Sequence, residues 1–295
     1  MLDKPPGMTS NAALQHVKRL FQADKAGHTG ALDPLATGVL PVCLGQATKL
    51  SGYLLDADKR YVVRAAVGAC TTTGDAEGGI TRRSDAAALT RAQLEAALPA
   101  FTGAIRQRPP MYSALKRDGK PLYELARAGI EVERAERPVT IEALRLTAFE
   151  NGPGGAAFEL DVRCSKGTYI RTLVEDLAAA VGQCAHVAAL RRVAAGPFTE
   201  ADLVAPQALE RAAAGGPAAL DGLLLPPLAG LAAWPRVAVD EKLALRLARG
   251  QAVEAADGPP GLVAVTGPDG TLLGIAERAA GGGLAPRRWM ASQAA

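Results

Sequence analysis

The chain has 295 residues, room for two domains of ordinary size, and 48% of them are hydrophobic against 21% charged, which excludes a wholly disordered protein. Thirty-three Lys and Arg face 30 Asp and Glu, so a basic surface for a polyanion must be local rather than global. Four scattered cysteines without a C-x-x-C pair argue against a zinc centre or a disulfide scaffold, and no apolar run of about 18 residues is free of Pro and Gly, so no membrane span is expected.

The first residues, Met1-Leu2-Asp3-Lys4-Pro5-Pro6-Gly7, lack the apolar core of a secretion signal, which points to the cytoplasm. Thr9 or Ser10 can cap a helix whose apolar positions Leu14, Val17, Leu20 and Phe21 follow the 3.6 period and stop near Asp24. Residues 27–38 hold three Gly and one Pro, which favours a packed loop without regular structure. A buried strand over 39–44 and a second, β-branched and aromatic, over 61–67 follow. Thr90-Arg91-Ala92-Gln93 is a capping box for a helix through Leu94 and Leu98 that Pro99 stops.

Between 103 and 121 the character changes: Arg106, Arg108, Lys116, Arg117 and Lys120 face only Asp118, with Met111 and Tyr112 among them. Phe158, Leu160, Val162 and Cys164 then alternate with Glu159, Asp161 and Arg163, a strand with one wet face. It enters the turn Ser165-Lys166-Gly167-Thr168 and a helix bearing Ile170, Leu173, Val174, Leu177 and Val181, ended by Gly182, which places Tyr169 and Arg171 at a strand-to-helix junction. The Ala, Gly and Pro density of 211–235 marks a boundary, its last part a packed connector. Beyond it, 262–266, the turn Gly267-Pro268-Asp269-Gly270 and 271–277 read as a hairpin in a small β-rich unit. Strands and helices at unequal spacing, with hairpins, indicate an α+β fold.

Single residues speak weakly. Asp33, flanked by Leu32, Pro34 and Leu35, is either an ordinary Asx-turn opener or a desolvated carboxylate in need of a cation. His28, Tyr169 and Arg171 have equally plain readings as a loop histidine, a core tyrosine and a surface cation. Cys184 and His186 are two ligands where a metal needs about four, so no metal is expected.

Taken together the segments resemble the bacterial tRNA pseudouridine-55 synthases over almost the whole chain. The resemblance lies in Leu2-Asp3-Lys4-Pro5-Pro6-Gly7-Met8-Thr9-Ser10, Gly27-His28-Thr29-Gly30-Ala31-Leu32-Asp33-Pro34-Leu35-Ala36-Thr37-Gly38, Lys59-Arg60-Tyr61, Met111-Tyr112-Ser113-Ala114-Leu115-Lys116, Cys164-Ser165-Lys166-Gly167-Thr168-Tyr169-Ile170-Arg171-Thr172 and Leu190-Arg191-Arg192. Residues 274–288 are more weakly similar to the end of a PUA-like domain. The resemblance implies a pseudouridine synthase fold, a mixed and mostly antiparallel sheet flanked by helices, with a catalytic unit over 1–230, an RNA-gripping insert near 103–137 and a PUA-like RNA-binding unit over 234–295. Relatives usually carry a strand and often a basic arm before Leu-Asp-Lys-Pro, whereas here Met1 abuts Leu2, so either translation begins upstream of Met1 or the first strand is short.

It further implies isomerisation of uridine 55 in the T loop of tRNA to pseudouridine, without a cofactor, by a cytoplasmic monomer that needs neither guide RNA nor protein partner. Asp33 is then the catalytic carboxylate, Arg171 its partner, and Tyr169 the neighbour of the base and candidate proton acceptor. Tyr61 stacks on the extruded base, Leu190 lines the pocket, His28 holds the opened T loop, and Lys4 and Pro5 lie at the substrate. Arg106, Arg108, Lys116, Arg117 and Lys120 are assigned to the RNA backbone. The chemistry agrees, since a base must be flipped out before its C1′ is reached, and an aromatic face suits that step. Two other readings are a tRNA-folding chaperone without essential chemistry, for which the basic insert and the tail suffice, and a glycosidase, which would need a second carboxylate flanking the bond.

Overall fold

The computed structural model describes residues 1–153, 155–254 and 258–290. Its centre is an eight-stranded mixed sheet whose main path runs Leu2–Lys4, Thr37–Leu40, Ala185–Ala195, Lys59–Val67, Gly155–Cys164, Arg137–Gly152 and Gly103–Gln107, with Phe198–Thr199 paired beside Ala185–Ala195. Among the strands of this sheet in the described residues, only Thr37–Leu40 and Ala185–Ala195 pair in parallel, apart from an isolated parallel bridge between Leu2 and Val204. The expected α+β class and mostly antiparallel sheet are therefore present. The short first strand pairs at the edge, Leu2 opposite Leu40 and Lys4 opposite Gly38.

Alternation explains which face is buried. Tyr61, Val63 and Ala65 of one central strand and Phe158, Leu160, Val162 and Cys164 of the next point into one core, which the helix Ile170–Ala180 closes with Ile170, Leu173, Val174 and Leu177. The opposite face is wet, where Arg60 pairs with Asp161 at 2.5 Å and Arg64 with Glu159 at 3.0 Å. The helix Ser10–Leu20 is capped by Thr9, and the capping box of Thr90 and Gln93 opens Arg91–Ala97. Pro99 does not end that segment at once, because proline fits the first turn of the 3-10 helix Leu98–Phe101 that continues it.

One expectation needs correction. The strand expected over 39–44 is split at Pro41, which has no N–H to give a ladder. Thr37–Leu40 enters the main sheet, while Val42–Leu44 pairs with Ala26–His28 in a separate ribbon, so the loop expected over 27–38 is irregular only in its middle. The boundary region opens with the helices Pro206–Ala214 and Pro217–Asp221, whose Leu209 and Leu220 share a core with Leu2, Val17 and Leu40, and its last part is the packed connector expected, with Leu231 buried.

The C-terminal unit is a five-stranded sheet in the order Arg236–Ala238, Gly261–Thr266, Leu272–Arg278, Gly283–Trp289, Val253–Glu254, with the helix Glu241–Ala248 packed on it. The expected hairpin of 262–277 forms its middle. This unit does not hang free. Leu50 and Leu231 are buried together with Ala264, Leu272, Ile275 and Met290, Tyr53 meets Trp234 edge-on with centroids 5.5 Å apart, and Lys49 Nζ donates to the Trp289 carbonyl at 2.8 Å. Residues 255–257 and 291–295 of the span expected for this unit lie outside the described residues. Among the described residues no helix is long and apolar enough to cross a membrane.

Candidate active site

A cleft of about 720 Å³ opens where the loop before Thr37–Leu40, the first residues of Lys59–Val67 and the N-terminus of Ile170–Ala180 converge, and Asp33, Tyr61, Tyr169, Arg171 and Leu190 all line it. Five side chains singled out from the sequence thus meet in one cavity of ligand size. Each is delivered by a different local device. Tyr61 and Leu190 are inward positions of neighbouring strands, Leu190 opposite Val63, while Tyr169 is the N-cap residue of the helix that carries Arg171 in its first turn.

Asp33 and Arg171 form a two-point pair. Arg171 Nε lies 2.9 Å from Asp33 Oδ2, and Nη2 donates to Oδ1 at 3.1 Å. The guanidinium also donates through Nη1 to the Thr73 carbonyl at 2.6 Å and through Nη2 to the Tyr112 carbonyl at 2.7 Å, and the buried Asp75 stands 3.7 Å from Nη1. Arg171 is sealed, with its side chain 5% exposed, whereas the Asp33 side chain keeps 38% and faces the cleft. A fixed cation thus stands behind an accessible carboxylate.

Burial pushes the Asp33 carboxyl above the ordinary aspartate range, Arg171 opposes that shift, and the neighbouring Asp75 adds to it. The expected partner is therefore in place, yet it offsets desolvation only in part. Burial likewise raises the phenols of Tyr61 and Tyr169, so both are protonated at neutral pH. Tyr169 is held by its backbone: Gln107, itself buried, accepts from the Tyr169 N–H at 3.0 Å and donates to its carbonyl at 3.2 Å.

The loop around Asp33 is tethered on both sides. Ser10 Oγ accepts from the Leu32 N–H at 2.7 Å and donates to the Leu32 carbonyl at 3.0 Å, and the Gly7 N–H donates to the Pro34 carbonyl at 2.9 Å. Lys4, expected at the substrate, is instead fully buried, its ammonium donating to the carbonyls of Pro5, Met8 and Pro34 at 2.8, 2.6 and 3.2 Å. It holds the loop and lies outside the residues that line the cleft. Pro5 lies beside it, outside the residues that line the cleft. His28 also lies outside that lining, at the end of Ala26–His28, with its Nδ1 buried and without a hydrogen-bond partner among the described residues. Burial and the nearby Arg192 lower its pKa, which leaves the ring neutral.

The basic residues of the insert fall into two groups. Lys116, Arg117 and Lys120 sit on a two-stranded hairpin whose turn is Asp118-Gly119, both at positive φ, as the tightest hairpin turn requires. Arg117 donates to the Glu133 carbonyl at 2.9 Å and Arg106 pairs with Glu136 at 3.4 Å. Arg108, Lys116 and Lys120 are exposed and have no carboxylate partner among the described residues. Over 103–137, eight cations face five carboxylates, so the excess is smaller than the shorter window 103–121 suggested. Cys184 is buried with a free thiol, and His186 Nδ1 lies 2.8 Å from the Ala69 carbonyl.

Thr73, Asp75 and Gln107 went unrecognised in the sequence. Thr71-Thr72-Thr73-Gly74-Asp75 reads as a polar turn, and nothing local says that it packs on a helix nearly a hundred residues later.

Comparison with known proteins bears on this arrangement. Residues 18–170 match the family described as "TruB family pseudouridylate synthase (N terminal domain)", residues 171–231 "tRNA pseudouridylate synthase B C-terminal domain", and residues 235–290 "Pseudouridine synthase II TruB, C-terminal". Two relatives named tRNA pseudouridine synthase B are 55% identical in Stutzerimonas stutzeri and 54% in Pseudomonas putida, each over 99% of this chain and 95% of the relative. Among solved structures, one titled a Cbf5-Nop10-Gar1 complex matches at TM-score 0.74 with 26% identity, over 97% of this chain and 82% of that one. An archaeal box H/ACA sRNP Nop10-Cbf5 complex, at 24% identity and the same TM-score, shares the fold over 99% and 86%. The family match begins before the Asp33 loop, ends inside the junction of Tyr169 and Arg171 and passes there to the second match, so that matched sequence covers the whole wall of the cleft: the chain belongs to the TruB family of pseudouridylate synthases.

Proposed function

We propose that this enzyme isomerises uridine in the T loop of tRNA, at position 55, to pseudouridine, with Asp33 as the catalytic carboxylate. One observation carries the reading: an accessible carboxylate, gripped at two points by a sealed arginine, faces a cleft walled by Tyr61, Tyr169 and Leu190. The reaction breaks the N1–C1′ bond, turns the uracil, forms C1′–C5, and exchanges the proton at C5 for one at N1. An ionised carboxylate either attacks C1′ or stabilises the positive charge that develops there. Asp56, the other carboxylate on the cleft, is tied to Lys166 at 2.7 Å, which weighs against a glycosidase pair. Tyr61 and Leu190 sandwich the flipped base, Tyr169 faces it as acceptor of the C5 proton, and neutral His28 fills the gap in the opened T loop. Burial keeps the Tyr169 phenol protonated, so it can take the C5 proton only as its own proton passes on to solvent, and that removal follows C1′–C5 bond formation, when the proton on the saturated C5 has become acidic. The test is release of tritium from tRNA labelled at uracil C5, with a labelled transcript lacking uridine 55 as control. No release would end the reading.

The proposal extends to the whole chain. The unit ending near 230 performs the chemistry, the insert and the C-terminal unit grip the tRNA backbone, and the enzyme works as a cytoplasmic monomer without guide RNA or protein partner. The insert makes a graded prediction. Replacing Arg108, Lys116 or Lys120 by Ala should flatten the slope of log affinity against log salt by about 0.7 to 0.9 per lost phosphate contact, while Arg106, already paired with Glu136, should change it less. Equal slopes in all variants would leave a merely solvated loop.

Tyr61→Leu should cost about 1 to 3 kcal/mol of base stacking, or roughly 5- to 150-fold in rate, and Tyr61→Phe should keep most activity. Equal behaviour of the two variants would remove stacking from its duties. The pH profile has a definite sign. Because Asp33 must be ionised and its pKa is raised, the single-turnover rate should climb with pH through a midpoint above the usual aspartate value of about 3.9 and then level off. A rate that is flat from that value upward would contradict the assignment.

A further inference from the structure

Arg191 and Arg192 are adjacent on one strand and have opposite fates. Arg191 points outward and pairs with Asp3 at 3.0 Å and Glu200 at 2.6 Å. Arg192 points inward, is 1% exposed, and has no carboxylate within ion-pair distance among the described residues. A buried charge without a counter-ion is costly, and it persists only where its donors are otherwise satisfied. Here backbone carbonyls satisfy them: Nε donates to Val39 at 2.7 Å, Nη2 to Gly30 at 3.1 Å and Nη1 to Ala31 at 3.5 Å. Gly30 and Ala31 precede Asp33, and Val39 follows it, so one guanidinium closes both ends of the loop that carries the carboxylate.

The glycines on either side agree with this. Gly30 has φ +120°, and a Cβ there would stand 3.6 Å from Arg192 Nη1, while a Cβ at Gly38 would collide with the Arg192 carbonyl. Both glycines hold positive φ, and at Gly38 the backbone of the loop's far end presses on that of Arg192, so the loop and the strand that carries the arginine are in close approach. Ser10 and Lys4 pin the same loop at Leu32 and Pro34, which leaves Asp33 the one residue between pinned neighbours. Lysine could not replace the fork, because a single ammonium cannot stand at Val39 and at Gly30 together.

We propose that Arg192 is a positioning residue for the reaction, a staple that closes the Asp33 loop and sets the carboxylate against Arg171 and the base-stacking wall. The inference rests on the isomerase reading, and tritium release by the unaltered enzyme tests that reading separately. With enzyme in excess over C5-tritiated tRNA, Arg192→Lys should lower the single-turnover rate constant on the order of 100-fold, the usual cost of a misplacement near 1 Å. Its tRNA dissociation constant should stay within threefold, and the acid midpoint of its pH profile should move to higher pH, because a carboxylate displaced from Arg171 loses the influence that holds its pKa down. A merely structural role would instead lower the fraction of active enzyme, seen as reaction amplitude, and leave the rate constant of the folded fraction intact. Should Arg192→Lys fail to fold, Gly30→Ala, which strains the loop at the φ of +120° where the guanidinium holds its carbonyl, carries the test with the same criteria. A rate constant within threefold of the unaltered enzyme in the folded variant, or a loss explained wholly by weaker tRNA binding, overturns the inference. If the unaltered enzyme releases no tritium, both readings fall.

Discussion

Asp33→Asn should abolish isomerisation, with a loss on the order of 10⁴-fold or more in the single-turnover rate, and leave the tRNA dissociation constant within a few-fold. The asparagine keeps the shape of the protonated acid and removes only the charge and nucleophilicity that bond breaking requires. Its effect on stability runs the other way. A carboxyl whose folded pKa is raised contributes stability when protonated, and that contribution is lost as pH rises from the ordinary value through the raised one. At neutral pH the ionised Asp33 is therefore a cost to the fold, and Asp33→Asn should melt at the same temperature as the parent or higher. Thermal unfolding and single-turnover assays on one preparation check both halves. Turnover within tenfold of the parent would remove Asp33 from the chemistry. The same variant separates the enzyme from a chaperone: if tRNA refolding were the whole activity, Asp33→Asn would retain all of it.

Much of the fold was legible because period and punctuation agree. The alternation from Phe158 to Cys164, the glycine after Ile170–Ala180 and the capping box at Thr90 each name an element through local chemistry. Pro41 was legible too, as a residue that cannot stand inside a central strand, yet the surrounding apolar run over 39–44 outweighed it in a reading by hydrophobicity. The site was legible through resemblance more than through pattern. Asp33 in a Gly-rich loop and Arg171 at a junction become a pair only when the chain brings positions 138 apart within 3.1 Å, and no local signal encodes that meeting. Lys4 is a case in which no local signal announces the contacts: the resemblance sets it at the substrate, and its ammonium serves three backbone carbonyls around the loop.

Arg171→Lys should be nearly as damaging as loss of the carboxylate, and by a different route. The parent guanidinium serves Asp33 at two oxygens and the carbonyls of Thr73 and Tyr112 at the same time, with Asp75 beside it. An ammonium at the end of a flexible chain can meet one of these groups well, because its donors radiate from one atom. Losing one charge-assisted bond to Asp33, worth about 1.5 to 3 kcal/mol, together with the alignment of the carboxylate, should lower the single-turnover rate roughly 10²- to 10³-fold. The two carbonyls left without donors should cost about 1 to 3 kcal/mol each, so melting should fall by roughly 4 to 24 °C in a unit of this size. Withdrawing the close guanidinium also removes the main influence that holds Asp33 down, and the acid midpoint of the rate should move to higher pH. Asp33→Asn and Arg171→Lys thus differ in kind: the first loses rate and keeps its melting temperature, the second loses both and keeps a titration that is displaced upward. A folded Arg171→Lys enzyme with the parent's rate and the parent's acid midpoint would show that the two-point grip seen here does not govern the carboxylate during turnover.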